Sequence, residues 1–354
     1  MGSDPRVAST QTLIAALQGL GRDENTRNQC IALLMAFEKK HSAAANIRES
    51  VTGPICDALF SETDELEVVL DNGLHINFLY RTKIARDIVL RAVDRPSHLW
   101  EPQTTKLLLT LVTQAQGDVL IGGAYFGDHA IVLAHKIGAS RRVHAFEPNS
   151  DQIAILQKNI AKNRLTNVST HQKVLWSASG LKFKFDGYDS FASVVQAQNN
   201  DGFDSVTLDD YWPSDRRLGL VHIDVEGAEL EILKGGAQQI QRDRPFVVFE
   251  IHRSYVNWDA GIEKTDIARF FLDMGYSLYA VRDINSHLEM TSPVELIPAK
   301  DVYLEGPPHG FNMLAIPAGA SPESLQCRLV VGSSPKLLRH KDPALHHPSD
   351  GSWA

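Results

Sequence analysis

The stretch from Asp118 to Pro148, DVLIGGAYFGDHAIVLAHKIGASRRVHAFEP, constrains the fold of this chain more than any other. The apolar run Val119, Leu120, Ile121 stops at Gly122-Gly123. Gly127 follows, and Asp128 opens an apolar-periodic segment that reaches Ile137. A second apolar run, Val143 to Phe146, ends in Glu147. This is strand, glycine turn, helix, strand, acid, a unit that places a nucleoside-containing ligand at the carboxyl ends of its strands. Gly122, Gly123, Ala124 and Gly127 let the backbone approach the ligand. Glu147 at the tip of the second strand, followed by Pro148 and Asn149, accepts hydrogen bonds from both hydroxyls of a ribose. The glycine spacing is not G-x-G-x-x-G. The bulk of Tyr125 and Phe126 suits an adenosine with an amino-acid tail better than a pyrophosphate.

The alternation continues on both sides of this unit. Ser150 is placed to cap a helix running to Asn163, and Val168 to Leu175 reads as a third strand. Leu181 to Phe185 alternates with period two, and 186–204 is a polar candidate loop or lid. Leu218 to Val225 and Pro245 to Ile251 read as buried strands, with a helix between them from Gly227 to about Gly235. A further helix, Thr265 to Met274, precedes Tyr276 to Val281 and Phe311 to Ile316, expected as an antiparallel pair closing the sheet. Strands and helices alternating over 100–316 predict an α/β fold, a mostly parallel sheet covered on both faces and carrying an antiparallel end strand. Residues 8–50 show helical spacing, and 66–80 form a hairpin pattern around Asn72-Gly73. The expected organisation is a helical and hairpin extension over 1–97, a catalytic domain over 98–318 and a flexible tail over 319–354.

Composition removes some functions. The formal net charge is −8 and the basic residues are scattered, which argues against nucleic acid or an anionic membrane as partner. No apolar run reaches membrane-spanning length, so a cytoplasmic protein is expected. The three cysteines form no metal-binding spacing. No G-x-S-x-G, HExxH or P-loop pattern occurs.

The second informative stretch is His222 to Leu230, HIDVEGAEL. Asp224, Glu226 and Glu229 follow a buried strand, at the crevice edge of an open parallel sheet. Glu226 and Glu229 also suit a helix N-terminus. Glu250 and His252 end the next strand, beside Asp224. His252 has the pKa range suited to taking a hydroxyl proton, with Asp224, Glu226 and Glu250 orienting the acceptor. Asp224, Glu250 and His252 are alternatively ligands for a divalent cation such as magnesium, and the residues alone do not decide between these routes. His222 reads as a core histidine. Tyr211 and Trp212 stack on a ring or sugar, or pack down on the sheet.

AFEP (145–148), VTLDDY (206–211), HIDVEGAELEILKGG (222–236) and FEIH (249–252), in this order and spacing, resemble the FkbM family of S-adenosylmethionine-dependent methyltransferases. The resemblance implies a seven-stranded class I methyltransferase sheet. It also implies O-methylation of a small hydroxylated natural product, sugar or glycolipid. It sets Gly123 to Gly127 against the methionine part of the cofactor, Glu147 on its ribose, and Asp224 and Glu226 at the methyl-transfer pocket. One departure stands out. Where the family reads Asp-x-Gly-Ala-Asn-x-Gly, this chain has Ile121 for the acid and Tyr125 for the asparagine. Asp128, Glu101 or Thr104 is expected to compensate. Two other classes stay open: an NAD(P)-dependent oxidoreductase, with Glu147 on the ribose, and a methyltransferase-like interaction module without activity. The amphipathic N-terminal helices suggest a homodimer.

Overall fold

The computed structural model describes residues 9–41, 47–91, 94–187, 193–197, 201–283, 293–304, 310–336 and 341–342. The chain opens with helices α1 (Thr10–Gly21), α2 (Glu24–Lys40) and α3 (Gly53–Leu59). Ser9 and Asp23 cap the first two by accepting from Thr12 N–H and Thr26 N–H. The expected hairpin follows as β1 (Glu65–Val69) and β2 (His75–Leu79), antiparallel, and then α4 (Lys83–Val89).

The central unit comprises α5 (Pro102–Gln114), β3 (Asp118–Gly122), α6 (Asp128–Ile137), β4 (Val143–Phe146), α7 (Ser150–Lys162) and β5 (Val168–His171). Pro102 begins α5, where its missing N–H costs nothing. Leu107, Leu108, Leu111 and Val112 give that helix its buried face. Asn149, not Ser150, caps α7, its side chain accepting from Asp151 N–H and Gln152 N–H.

α7 also fastens the hairpin. Asn159 and Asn163 lie one turn apart, facing the free edge of β2. Asn159 Oδ1 accepts from Asn77 N–H at 2.7 Å, and its Nδ2 donates to the carbonyls of Asn77 and Phe126, each at 2.9 Å. Asn163 Oδ1 accepts from His75 N–H at 2.9 Å, and Asn163 Nδ2 donates to His75 O at 2.6 Å. Two side-chain amides thereby take the place of a neighbouring strand and close an edge.

Next come β6 (Val174–Leu175), β7 (Lys182–Asp186), β8 (Ser193–Gln196), β9 (Phe203–Val206) and α8 (Leu208–Tyr211). The expected third strand is thus split: β5 stays in the main sheet, and β6 joins a small sheet in the order β6-β9-β7-β8. The segment read as a loop or lid supplies β8 and β9 to that sheet. The remainder of 186–204 that falls on 188–192 and 198–200 lies outside the described residues.

The chain then adds β10 (Leu218–Ile223), α9 (Glu229–Gly235), α10 (Ala237–Asp243), β11 (Phe246–His252), α11 (Asp266–Asp273), β12 (Ser277–Val281), β13 (Glu295–Pro298), β14 (Gly310–Ile316) and β15 (Arg328–Leu329). Among the described residues the main sheet has nine strands, where the resemblance implies seven, in the order β15-β13-β12-β14-β11-β10-β3-β4-β5. The pairs β11-β10-β3-β4-β5 are parallel. β12 and β14 are antiparallel as expected. β14, however, is inserted between β11 and β12 instead of sitting at the edge. Alternation divides the core into two clusters. Val119, Ile121, Leu220, Val248 and Leu314 belong to one, which also takes in α5, α6 and the N-terminal hairpin. Leu120, Val221, Ile223, Phe249 and Met313 belong to the other, with α10 and α11.

Residues 319–336, expected to be part of a loose tail, are placed. Leu325 and Ser334 are buried, and β15 pairs with β13. Among the described residues no helix is long and apolar enough to cross a membrane.

Candidate active site

From β3 the sheet grows through β4 and β5 on one side and through β10 and β11 on the other. The crevice at such a reversal, outside the carboxyl ends of the strands, is where open α/β sheets bind ligands. The glycine turn lies there. Asp224 N–H donates to Gly122 O at 3.0 Å, and Gly123 N–H and Ala124 N–H both donate to Phe146 O. Gly123 has φ +79°, and a Cβ added there would stand 1.8 Å from Asp224 O. Gly127, at φ +96°, precedes α6 and leaves room only for Leu156.

Glu147 is fixed at the tip of β4. Its Oε2 accepts from Tyr125 N–H at 2.9 Å and its Oε1 from Asn149 N–H at 2.8 Å. Glu101, directly before α5, is buried; its Oε2 accepts from Asn312 Nδ2, which also donates to Thr104 Oγ1 at 3.2 Å. Glu101, Tyr125 and Glu226 hold left-handed backbone at φ +42°, +45° and +53°. Each such non-glycine residue costs about 1–3 kcal/mol and persists where the surroundings over-determine it, often at functional sites.

The acids expected along β10 and β11 do converge. Alternation sets Asp224 on the side of Leu220 and His222, Glu250 on that of Val248, and Asn312 opposite Glu250 on β14. Burial raises Asp224 well above the ordinary carboxylate range, and Glu250 and Glu101 raise it further. Glu250 moves the same way, first by burial and then through Glu101 and Glu226. Burial and then Glu229 push Glu226 up to about 7. Glu229 serves its own helix: its Oε1 accepts from Val225 N–H and Gly227 N–H, each at 3.2 Å. Tyr255 covers the turn, and a Cβ on Gly227 would meet its ring at 2.6 Å. Among the described residues no group of three or more His, Cys, Asp or Glu is arranged to hold a metal ion.

Residues 122–278 of this chain match the family model of the methyltransferase FkbM domain. Over that stretch the chain is similar to an FkbM methyltransferase domain. No curated protein sequence matches it. Among solved structures, a methyltransferase FkbM from Methylobacillus flagellatus KT is 15% identical at a TM-score of 0.37. That alignment covers 56% of this chain, which spans only 43% of the other's length. An O-methyltransferase from Bacillus cereus in complex with SAH is 15% identical at 0.36, over 60% of this chain and 80% of that one. The O-methyltransferase TomG from Streptomyces achromogenes, in complex with SAM, is 13% identical at 0.35, over 61% and 80%.

Within the matched stretch, the structure bears on three expectations. Tyr211 and Trp212 pack inward and offer no stacking platform. Trp212 is buried, and the Tyr211 hydroxyl is hydrogen-bonded to His144 Nδ1 and His171 Nε2 at 2.6 Å each. The Phe126 ring turns away into the core and is buried against Phe78 of the hairpin. His252 Nδ1 accepts from Ser254 N–H at 3.1 Å. The neutral ring then carries its hydrogen on Nε2 and has no acceptor nitrogen left for a hydroxyl proton. His222, by contrast, is the buried core residue expected, edge-on to His129 at 4.7 Å. Asp128, one candidate to replace the acid missing at 121, faces His129 Nδ1 at 3.5 Å.

Three residues of the pocket escaped the sequence reading: Asn312, Asp283 and Lys336. Asn312 had a signal, a lone amide inside the apolar run of β14. Asp283 and Lys336 had none, since only tertiary packing brings them here. Asp283 is buried after β12; burial pushes it up to about 7, opposed by Lys336 and by the first-turn amides of α5. A carboxyl raised in this way favours the fold while protonated. Its contribution is complete below the ordinary 3.8 and is lost as pH rises through about 7. Against Asp283→Asn, the wild type should therefore lose thermal stability between about pH 4 and about pH 7. Unfolding scans across that window measure the difference in midpoint, and a difference independent of pH would refute it.

Proposed function

We propose that this FkbM domain transfers a methyl group from S-adenosylmethionine to a hydroxyl of a small natural-product, sugar or glycolipid acceptor. The observation that carries this reading is the pairing, across one crevice, of an amide-held carboxylate with a row of acids. Glu147 stands at the tip of β4, and Glu101, Asp224 and Glu250 stand on the other side of the Gly123 turn.

The residues fit such a cofactor. Glu147 is held by the Tyr125 and Asn149 amides at the tip of β4, where an adenosine ribose would lie against it. The acids offer the negative potential that a ligand bearing sulfonium and ammonium charges needs, in a setting where charges are strong. When bound, the sulfonium supplies an already activated methyl group. The chain's task is then to align the acceptor oxygen and remove its proton.

Glu226 takes that proton. It is half-buried, its backbone is held at φ +53°, and its pKa of about 7 suits a base at neutral pH. His252, with its hydrogen on Nε2, donates to the acceptor and orients it. Asp224 and Glu250, buried beside Glu226, would orient the acceptor.

Calorimetric titration with S-adenosylhomocysteine, with NAD as control, tests the reading. Wild type should bind the first and not the second. Glu147→Ala should weaken binding by about 10- to 100-fold, as expected for lost hydrogen bonds to a charged group. NAD binding, or binding of neither, would overturn the assignment.

A further inference from the structure

We propose that Lys336, carried into the pocket by the C-terminal segment, is a positioning residue that holds Glu101 in its cofactor-binding orientation. The inference rests on the methyltransferase reading above and adds to it a residue far outside the matched stretch 122–278.

The segment that delivers Lys336 is anchored through its backbone. Gly332 N–H donates to Asp301 O at 3.0 Å, Tyr303 N–H to Ser333 O at 3.0 Å, and Asp283 N–H to Pro335 O at 2.9 Å. Ser333 and Ser334 are buried. Three bonds within four residues, each to the β12–β13 end of the sheet, fix where residue 336 emerges. From there Lys336 Nζ lies 3.6 Å from Glu101 Oε1, with 21% of the lysine side chain and 8% of the glutamate exposed. The other oxygen, Oε2, is taken by Asn312 Nδ2.

Glu101 is thus held at both oxygens by groups from two distant parts of the chain. It needs such holding. Its backbone is left-handed, and its charge lies among Asp224, Glu250 and Asp283. Acids gathered in this way repel, and an untethered carboxylate among them would turn away. One lysine charge offsets part of this repulsion. Each Glu101 oxygen has one partner and keeps a lone pair, directed by the clamp, for a cationic group of the ligand. Burial works against the Lys336 charge, but Glu101, Asp283 and Glu250 outweigh it and hold the ammonium firmly protonated.

The test is S-adenosylhomocysteine titration of the full chain as wild type, Lys336→Met, Lys336→Arg, Glu101→Gln and the double variant Lys336→Met/Glu101→Gln. Thermal unfolding of each variant runs beside it. Lys336→Met should weaken binding by about tenfold, the scale of one charge-assisted contact. Lys336→Arg should stay within about twofold, because the charge is kept. The double variant should bind as Glu101→Gln does, since the lysine acts through that carboxylate. Unchanged affinity in Lys336→Met with a lowered melting point would make the lysine a fold support only and overturn the proposal. Tighter binding in Lys336→Met would overturn it too, by making the tail a competitor for the site. Failure of the wild type itself to bind would sink the methyltransferase reading instead, so the two failures are told apart.

Discussion

Glu226→Gln is expected to lower turnover by about 10²- to 10⁴-fold, the usual contribution of a positioned general base. S-adenosylhomocysteine affinity should change little. The amide keeps the size and the hydrogen-bonding reach of the carboxylate but cannot take a proton. The contrast with His252 makes the prediction sharp. Its Nδ1 is engaged by Ser254 N–H, so His252→Ala should remove an orienting donor and cost less than Glu226→Gln. The pH dependence follows from the direction of the shift. Burial and Glu229 raise Glu226 to about 7, and the base must be ionised to work, so the wild-type rate should climb through neutral pH. The measurement is kcat against pH for both variants, with an acceptor that the wild type methylates. If His252→Ala abolishes turnover while Glu226→Gln leaves it intact, the proton goes to the imidazole and the assignment made here is wrong.

Gly123→Ala should abolish measurable cofactor binding and lower the melting point by several degrees. Two costs combine. The backbone at φ +79° is one that a side chain resists by about 1–2 kcal/mol. The new Cβ would also stand 1.8 Å from Asp224 O, a backbone atom that cannot swing aside. Relief requires β3 and β10 to part at the crevice, the place where the ligand is held. Gly138→Ala separates the two costs. Gly138 has φ +66° with nothing within 4 Å of an added Cβ, so it carries the conformational penalty alone. Calorimetric titration and unfolding scans on both variants decide. Equal effects at the two sites would mean that the contact with Asp224 is not what shapes the crevice.

The parts of the fold visible in the sequence were those written in local pattern. The apolar runs of β3, β4, β10 and β11 and the punctuation at Gly122-Gly123 announce a parallel α/β unit. Asn72-Gly73 announces the hairpin. Glu147, Asp224 and Glu250 were recognisable because an acid that ends a buried strand lies at the crevice edge. What could not be read was set by pairing between distant segments. Nothing local tells β14 to insert beside β11, and it is this insertion that carries Asn312 to Glu101. Tyr211 and Trp212 look alike as surface or core aromatics until the hydrogen bonds to His144 and His171 are seen. The proton location on His252 depends on an amide two residues on, which only the turn geometry supplies. The segment after Gly319 has the composition of a tail, yet it packs, because a few backbone bonds and the ion pairs of Arg328 with Glu295 and of Lys336 with Glu101 suffice where a core already exists.

Asn159 gives the protein a property that family resemblance hides. Its one amide holds together the hairpin, α7 and the end of the glycine turn, through Asn77 and Phe126. The hairpin lies upstream of the stretch shared with relatives, whereas Asn159 and Phe126 lie inside it. The stretch that matches the family and the body that these hydrogen bonds tie together therefore have different borders. A chain trimmed to the shared stretch would keep the motif but leave a buried amide with half its partners, right behind the turn that must hold the ligand. In this protein the matched stretch depends on a segment that lies outside it.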